Sequence, residues 1–361
     1  MKVAYCRVWD EEYPRNARVR AYLATLDDVE VTVALRGDNG SKPRRIVQDL
    51  WRALTSVNRH DVYILAEFSS GFAPLYWLVA RLNRGAFVVD AFVGKYETDV
   101  EDWGRARIGS PKARLLRLAD AIACRLADLV LIDTDVRAAA IEGAHRGANV
   151  MCLPVGAPSW AVPTPTPERS GVLRVLYYGN YAPLHGLPTI LESLRLAARE
   201  TTIRLTLVGD GALRPSIEET ARRLGVEELC DFRGHVPESE LAGLIAAHDV
   251  VLGVFGTSRK AQTVLANKVW QGLACGKPVI TQASPAVAEI QPAVGDQLVI
   301  VDDTPEHGLV DSLAAALVRS GDAGSTTSSA ESARRLEEYV TRRFAEFGPA
   351  LRSLKVRRAR G

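Results

Sequence analysis

The sequence predicts an α/β protein of two Rossmann-like domains, each a parallel sheet covered by helices, facing each other across a cleft. Three observations carry this expectation. Short runs rich in Val, Ile and Leu alternate with longer helical patterns along nearly the whole chain. These runs are apolar throughout rather than alternating, as expected of strands buried on both faces. A proline-rich interval divides them six and six in a chain of 361 residues, a comfortable length for two domains.

In order, the first domain spans 1–156, with strands at VAYCRVW (3–9), VEVTVAL (29–35), DVYILAE (61–67), AFVVDAF (86–92), DLVLID (128–133) and NVMCLP (149–154). Residues 157–171, within VGAPSWAVPTPTPERSG, form an extended linker. The second domain spans 172–322, with strands at LRVLYYG (173–179), IRLTLVG (203–209), LCDFRG (229–234), DVVLGVF (249–255), KPVIT (277–281) and QLVIV (297–301). Residues 323–361 begin as a flexible stretch, AGSTTSSAESA, and end in an Arg-rich helical pattern that reads as a solvated terminal helix. A weaker reading sets its KVRRARG end against an anionic membrane surface.

Composition narrows the function classes. The net charge of +2 gives no global attraction for nucleic acid. Five scattered cysteines without a CxxC pair suit a reducing cytosol better than a disulfide framework or a zinc site, and the six histidines show no ligand spacing. The N-terminus reaches charged residues too early for a signal peptide, and no run is long enough to span a bilayer. A cytoplasmic protein is expected.

In LYYGNYAPLHGLPTI (176–190) a strand stops at Gly179 and a helix starts at Gly186. Free N–H groups at such a helix start accept a phosphate, and glycine at both places lets a ligand approach the backbone. His185 adds a donor without fixed charge. The plainer alternative is an ordinary turn with a capping histidine.

With IRLTLVGDGALRPSIEETARRLGV, CDFRGHVPESELAGLIAAHDVVLGVF and NKVWQGLACGKPVITQASPAVAEI, this segment resembles the donor-binding domain of the retaining GT-B glycosyltransferases, the large family-4 type. The match in order and spacing covers roughly 172–320, with a PLHG loop and an NKVWQ helix as variant features. The resemblance implies a GT-B-like fold and transfer of a sugar from a nucleotide-diphosphate sugar. The acceptor would be a hydroxyl of a glycan, lipid-linked or small-molecule compound. Configuration would be retained, with no metal and no cofactor beyond the co-substrate.

Two departures matter. The family's E-x7-E acids would fall at Thr263 and Gln271; the glutamine can still bond a ribose hydroxyl. The family's arginine and lysine around the phosphate loop become Asn180 and His185. Arg259, Lys260 and Lys268 in SRKAQTVLANKVWQ would then supply the charge. If that stretch is one helix, Lys260, Asn267, Lys268 and Gln271 share its polar side. By the same resemblance Gly209 shapes the cleft floor, Val236 sits beside the base, and Glu289 falls at the family's G-x-P-E glutamate. The lysine-bearing stretch has a plain alternative as a solvated helix face, and Glu289 one as a surface carboxylate.

For the acceptor, the resemblance points to the loop after the first strand and to DAFVGKYETDVEDW with Tyr96. That first loop lacks the family's glycine pair, and its Tyr13, Arg15 and Asn16 read as a pocket wall or simply as a turn capped by Asn16. Asp90 falls where many relatives carry a histidine and could accept the acceptor's proton; as a strand-end Asp it could equally cap a turn. Rival functions are a nucleotide-sugar-binding module without activity, kept alive by the missing acids, and an NAD-dependent oxidoreductase, whose fingerprint GDGALR (209–214) matches poorly. DTD (133–135) would suit a metal-dependent transferase of the other main fold.

Overall fold

The computed structural model describes residues 1–37, 42–55, 59–165, 171–322 and 329–360. Every expected strand forms. The first six are β1 (Lys2–Val8), β2 (Glu30–Leu35), β3 (Val62–Leu65), β4 (Ala86–Asp90), β5 (Leu129–Ile132) and β6 (Val150–Cys152). The second six are β7 (Leu173–Tyr178), β8 (Ile203–Val208), β9 (Cys230–Arg233), β10 (Val250–Leu252), β11 (Val279–Gln282) and β12 (Leu298–Val301).

They build two six-stranded sheets ordered β2-β1-β3-β4-β5-β6 and β12-β11-β10-β7-β8-β9, with every recorded pairing parallel. Strand order reverses between β1 and β3 in one sheet and between β7 and β10 in the other. At such a switch point the loops leave in opposite directions and open a crevice at the strands' carboxyl ends.

One compact unit comprises Met1–Val155 with Val340–Gly361, the other Gly156–Tyr339. In the second, β7 and β8 run in register from Leu173↔Ile203 to Tyr178↔Val208. The helix Leu187–Ala197 buries Leu187, Ile190, Leu191 and Leu194 against this sheet and the helix Leu309–Asp322. Each such side chain stabilises by about 1.5–3 kcal/mol, which fixes where the helix begins.

The interval before β7 lacks regular structure through residue 165 and is pinned to the second unit, Trp160 Nε1 donating to Glu238 Oε1 at 2.7 Å. The expected flexible stretch falls partly outside the described residues, at 323–328; from Ser329 the chain is helical to Ala345, and again over Phe347–Arg360. These helices correct the solvated-helix expectation. Val340, Phe344, Phe347, Leu351 and Leu354 form a buried stripe at three- and four-residue spacing. Phe344 and Phe347 lie 5.3 and 5.9 Å from the Tyr22 ring, and the last helix packs on β3 and β4. The KVRRARG side chains lie outside the described ones.

Candidate functional site

In the second unit the loop after β7 crosses the switch point. Gly179 leaves the strand, a tight turn covers Pro183–His185, and Gly186 enters the helix in a left-handed conformation, φ 63°. A methyl group on Gly186 would come within 2.3 Å of the Phe255 carbonyl. The loop after β10 lies that close because Gly256 N donates to Leu184 O at 3.0 Å and Phe255 N to His185 O at 3.3 Å. Gly209, after β8, is equally constrained, since a Cβ there would overlap the Gly179 carbonyl at 2.1 Å.

Beneath this loop lies Lys268. Its side chain is buried, its Nζ 3.1 Å from His185 Nδ1 and 3.9 Å from the centre of the Tyr177 ring. A methyl on Gly179 would lie 3.5 Å from that Nζ. Burial holds the lysine well below its ordinary pKa. His185 is also pushed well down, by burial first and then by the neighbouring Lys268 and Lys260 amines, which disfavour a second positive charge beside them. Gln271, one turn on, accepts from Tyr178 OH through Oε1 at 2.9 Å.

The stretch carrying these residues is not one helix. It forms Arg259–Thr263 and Asn267–Ala274, with Val264 and Ala266 in extended conformation and Leu265 buried between. Lys260 and Lys268 therefore do not share a helix face. The short helix with Arg259 and Lys260 packs beside the Pro183–His185 turn and against the helix Pro285–Val294, which carries Glu289. Asn267 opens the second helix half-buried, and Asn180 is exposed. Val236 sits in the loop after β9, joined to Gly209 through the Gly234 carbonyl. Thus Gly179, His185, Gly186, Gly209, Lys268 and Gln271 form one cluster, with Arg259, Lys260, Asn267, Glu289 and Val236 on neighbouring elements. Lys277 of the ACGKPV motif is a buried tie, its Nζ donating to Ala246 O at 2.8 Å.

In the first unit, three neighbouring strands end in carboxylates: Glu67 after β3, Asp90 on β4 and Asp133 after β5. Arg15 holds Asp90 through Nε at 2.8 Å and Nη2 at 3.2 Å, and also donates to Leu153 O. Asn16 accepts from Tyr5 OH at 2.6 Å and donates to Glu67 Oε1 at 2.9 Å. Arg137 bridges Asp133 and Glu97, each at 2.6 Å. Tyr13 lies between the Trp9 and Phe92 rings, 5.6 and 6.2 Å away. Tyr96 is half-buried at the start of the turn of helix Glu97–Asp102, its N–H donating to Asp120 at 2.9 Å.

Asp90 thus has both oxygens engaged. Glu67, absent from the sequence-derived candidates, is buried with Oε2 lacking a partner. Burial, and then the Asp90 charge, push its pKa up to about 7. The signal was present in the strand pattern, where DVYILAE and LVLID each end on an acid. The DTD acids diverge: Asp133 is buried against Arg137, whereas Asp135 is half-buried and pairs with Arg343.

Residues 173–319 match the family described as Glycosyl transferases group 1. No curated protein matches the chain by sequence. Among solved structures, the chain is similar to sucrose-phosphate synthase from Thermosynechococcus elongatus, with TM-score 0.71 and 15% identity over 98% of this chain and 99% of that one. It is similar to HepE from Anabaena in complex with UDP and glucose, with TM-score 0.66 and 16% identity over 100% and 98%. It also resembles TarM from S. aureus, a G117R mutant in complex with fondaparinux, alpha-GlcNAc-glycerol and UDP, with TM-score 0.63 and 9% identity; there it covers 85% of its own length but 59% of the other chain. No described helix is long and apolar enough to cross a membrane. The chain has the GT-B fold, and its residues 173–319 match the group 1 glycosyl transferases.

Proposed function

We propose that the protein transfers a hexosyl group from a nucleotide-diphosphate sugar to a hydroxyl of a glycan, lipid-linked or small-molecule acceptor, with retention and without a metal. One observation carries this: within the segment matching the group 1 glycosyl transferases, the Gly179–Gly186 loop and the buried Lys268 meet at the sheet's switch point. The helix start at Leu187 and the basic residues Arg259, Lys260 and Lys268 face charge that grows on the departing diphosphate, where pre-aimed donors lower the barrier. Uridine is the first base to try, because HepE was solved with UDP and with UDP-glucose. The acceptor would engage the first unit near Tyr13, Tyr96 and the strand-end carboxylates.

A second reading, a nucleotide-sugar-binding module without activity, is favoured by Gln271 and Thr263 standing where the family's acids belong. Melting of the purified protein against UDP, GDP, dTDP, ADP and NAD tests the class, since a ligand at ~100 times its Kd adds about 2.7 kcal/mol of stability. A shift with a nucleoside diphosphate, followed by release of that diphosphate from its sugar nucleotide with added acceptors, supports transfer. Binding without release favours the inactive module, and a shift with NAD alone overturns both. Proton NMR of the product's anomeric centre tests retention.

A further inference from the structure

The observations around Lys268 reach beyond the identity of the ligand. We propose that Lys268 is uncharged in the ligand-free protein and takes up a proton from solvent when a nucleoside diphosphate binds at the Gly179–Gly186 loop, so that the site makes its counter-charge on binding. The inference rests on the proposed donor site.

The groups facing the amine supply no negative charge, and a ring face and an imidazole nitrogen offset only part of what burying an ammonium costs. Tyr177 of β7 presents its ring face at 3.9 Å, and His185 of the Pro183–His185 turn presents Nδ1 at 3.1 Å. Lys260, on the short helix beside that turn, adds a second cation close enough to act on His185. On its own helix, Gln271 is engaged by Tyr178. Among the described residues no carboxylate pairs with Lys268, and only 3% of it is exposed. A buried ammonium without a counter-ion is costly enough that the amine gives up its proton instead. The hydrogen bond between Lys268 and His185 stands with both groups neutral, one nitrogen donating and the other accepting.

A diphosphate at the loop reverses the balance. It brings two to three negative charges near the amine, and the amine's lone pair takes a proton from the buffer, with no other bond broken. Affinity then falls about tenfold per pH unit across the interval between the ligand-free and ligand-bound pKa of the amine. A fixed cation would give no such dependence.

Calorimetry of UDP, GDP, dTDP and ADP binding at pH 8.0 in buffers of different ionisation enthalpy tests this. The terminal phosphate, with a second pKa near 6, is already ionised there, so proton uptake reports the protein. The expected result for the wild type is uptake approaching one proton per diphosphate bound. Lys268→Arg, with a permanent charge, should bind with no uptake. Lys268→Met should lose both the uptake and roughly tenfold to a hundredfold in affinity, the range for a lost charge-assisted hydrogen bond. Binding to the wild type without proton uptake overturns the inference while leaving the transferase reading intact, as does uptake that persists in Lys268→Met. The wild-type measurement decides even if the variants fold poorly. If no nucleoside diphosphate binds, the donor site itself is refuted and the inference falls with it.

Discussion

Arg15 and Asp90, 75 residues apart, are joined through two hydrogen bonds at 2.8 and 3.2 Å, with neither side chain exposed. The pair links the first turn of the helix Pro14–Ala24 to the end of β4. Removing one member leaves a buried charge unpaired, which costs about 3–5 kcal/mol. Arg15→Met and Asp90→Leu should each destabilise by that order in urea unfolding. The double variant should cost less than the sum, because neither charge is then stranded. Additive losses would mean that the two side chains act independently.

Glu67 should set a pH dependence of stability. Its folded pKa, about 7, lies above the ordinary carboxyl value of 4.5, so the folded state holds the proton more tightly. Stability is therefore fullest below about pH 4.5 as far as this group is concerned, and declines as pH rises to about 7. The whole effect is on the order of 3 kcal/mol at 1.36 kcal/mol per pKa unit. Glu67→Gln keeps the oxygen that accepts from Asn16 and removes the titration. Unfolding curves at pH 5, 6, 7 and 8 should show the variant losing less stability than the wild type across that range.

Gly186→Ala tests whether the two switch-point loops must touch. The added methyl meets the Phe255 carbonyl at 2.3 Å, on a residue already left-handed. We expect at least about 2 kcal/mol of destabilisation from strain and overlap, together with loss of the melting shift given by a nucleoside diphosphate. A variant that melts and binds like the wild type would show that the loops part easily.

Transfer should proceed at full rate in excess EDTA, because the proposed charge stabilisation comes from basic side chains and a helix start. An EDTA-sensitive rate restored by Mg²⁺ or Mn²⁺ would put a divalent ion in the reaction.

Much of the fold was legible because strands such as LRVLYY and AFVVD are apolar on both faces, a pattern with few alternatives. The Gly179, His185 and Gly186 loop was legible for a related reason: its glycines stand where a strand gives way to a helix. The break at Val264–Ala266 was not, since the apolar spacing continues through it. The chain extends there while burying Leu265, a tertiary choice that local propensity does not encode. The depth of Lys268 was equally hidden, because a lysine on an amphipathic helix reads as solvated until its neighbours are placed. Glu67 and Asp133 were visible as strand ends, but their grouping required the β3-β4-β5 adjacency.

The buried stripe from Val340 to Leu354 belongs to the unit that starts at Met1. On the ribosome, that unit lacks part of its core until the entire second unit has been synthesised. The second unit, continuous from Gly156 to Tyr339, has its whole sequence available earlier. Maturation would then run against the direction of translation, the later-made half settling first and the amino-terminal half awaiting its last helix.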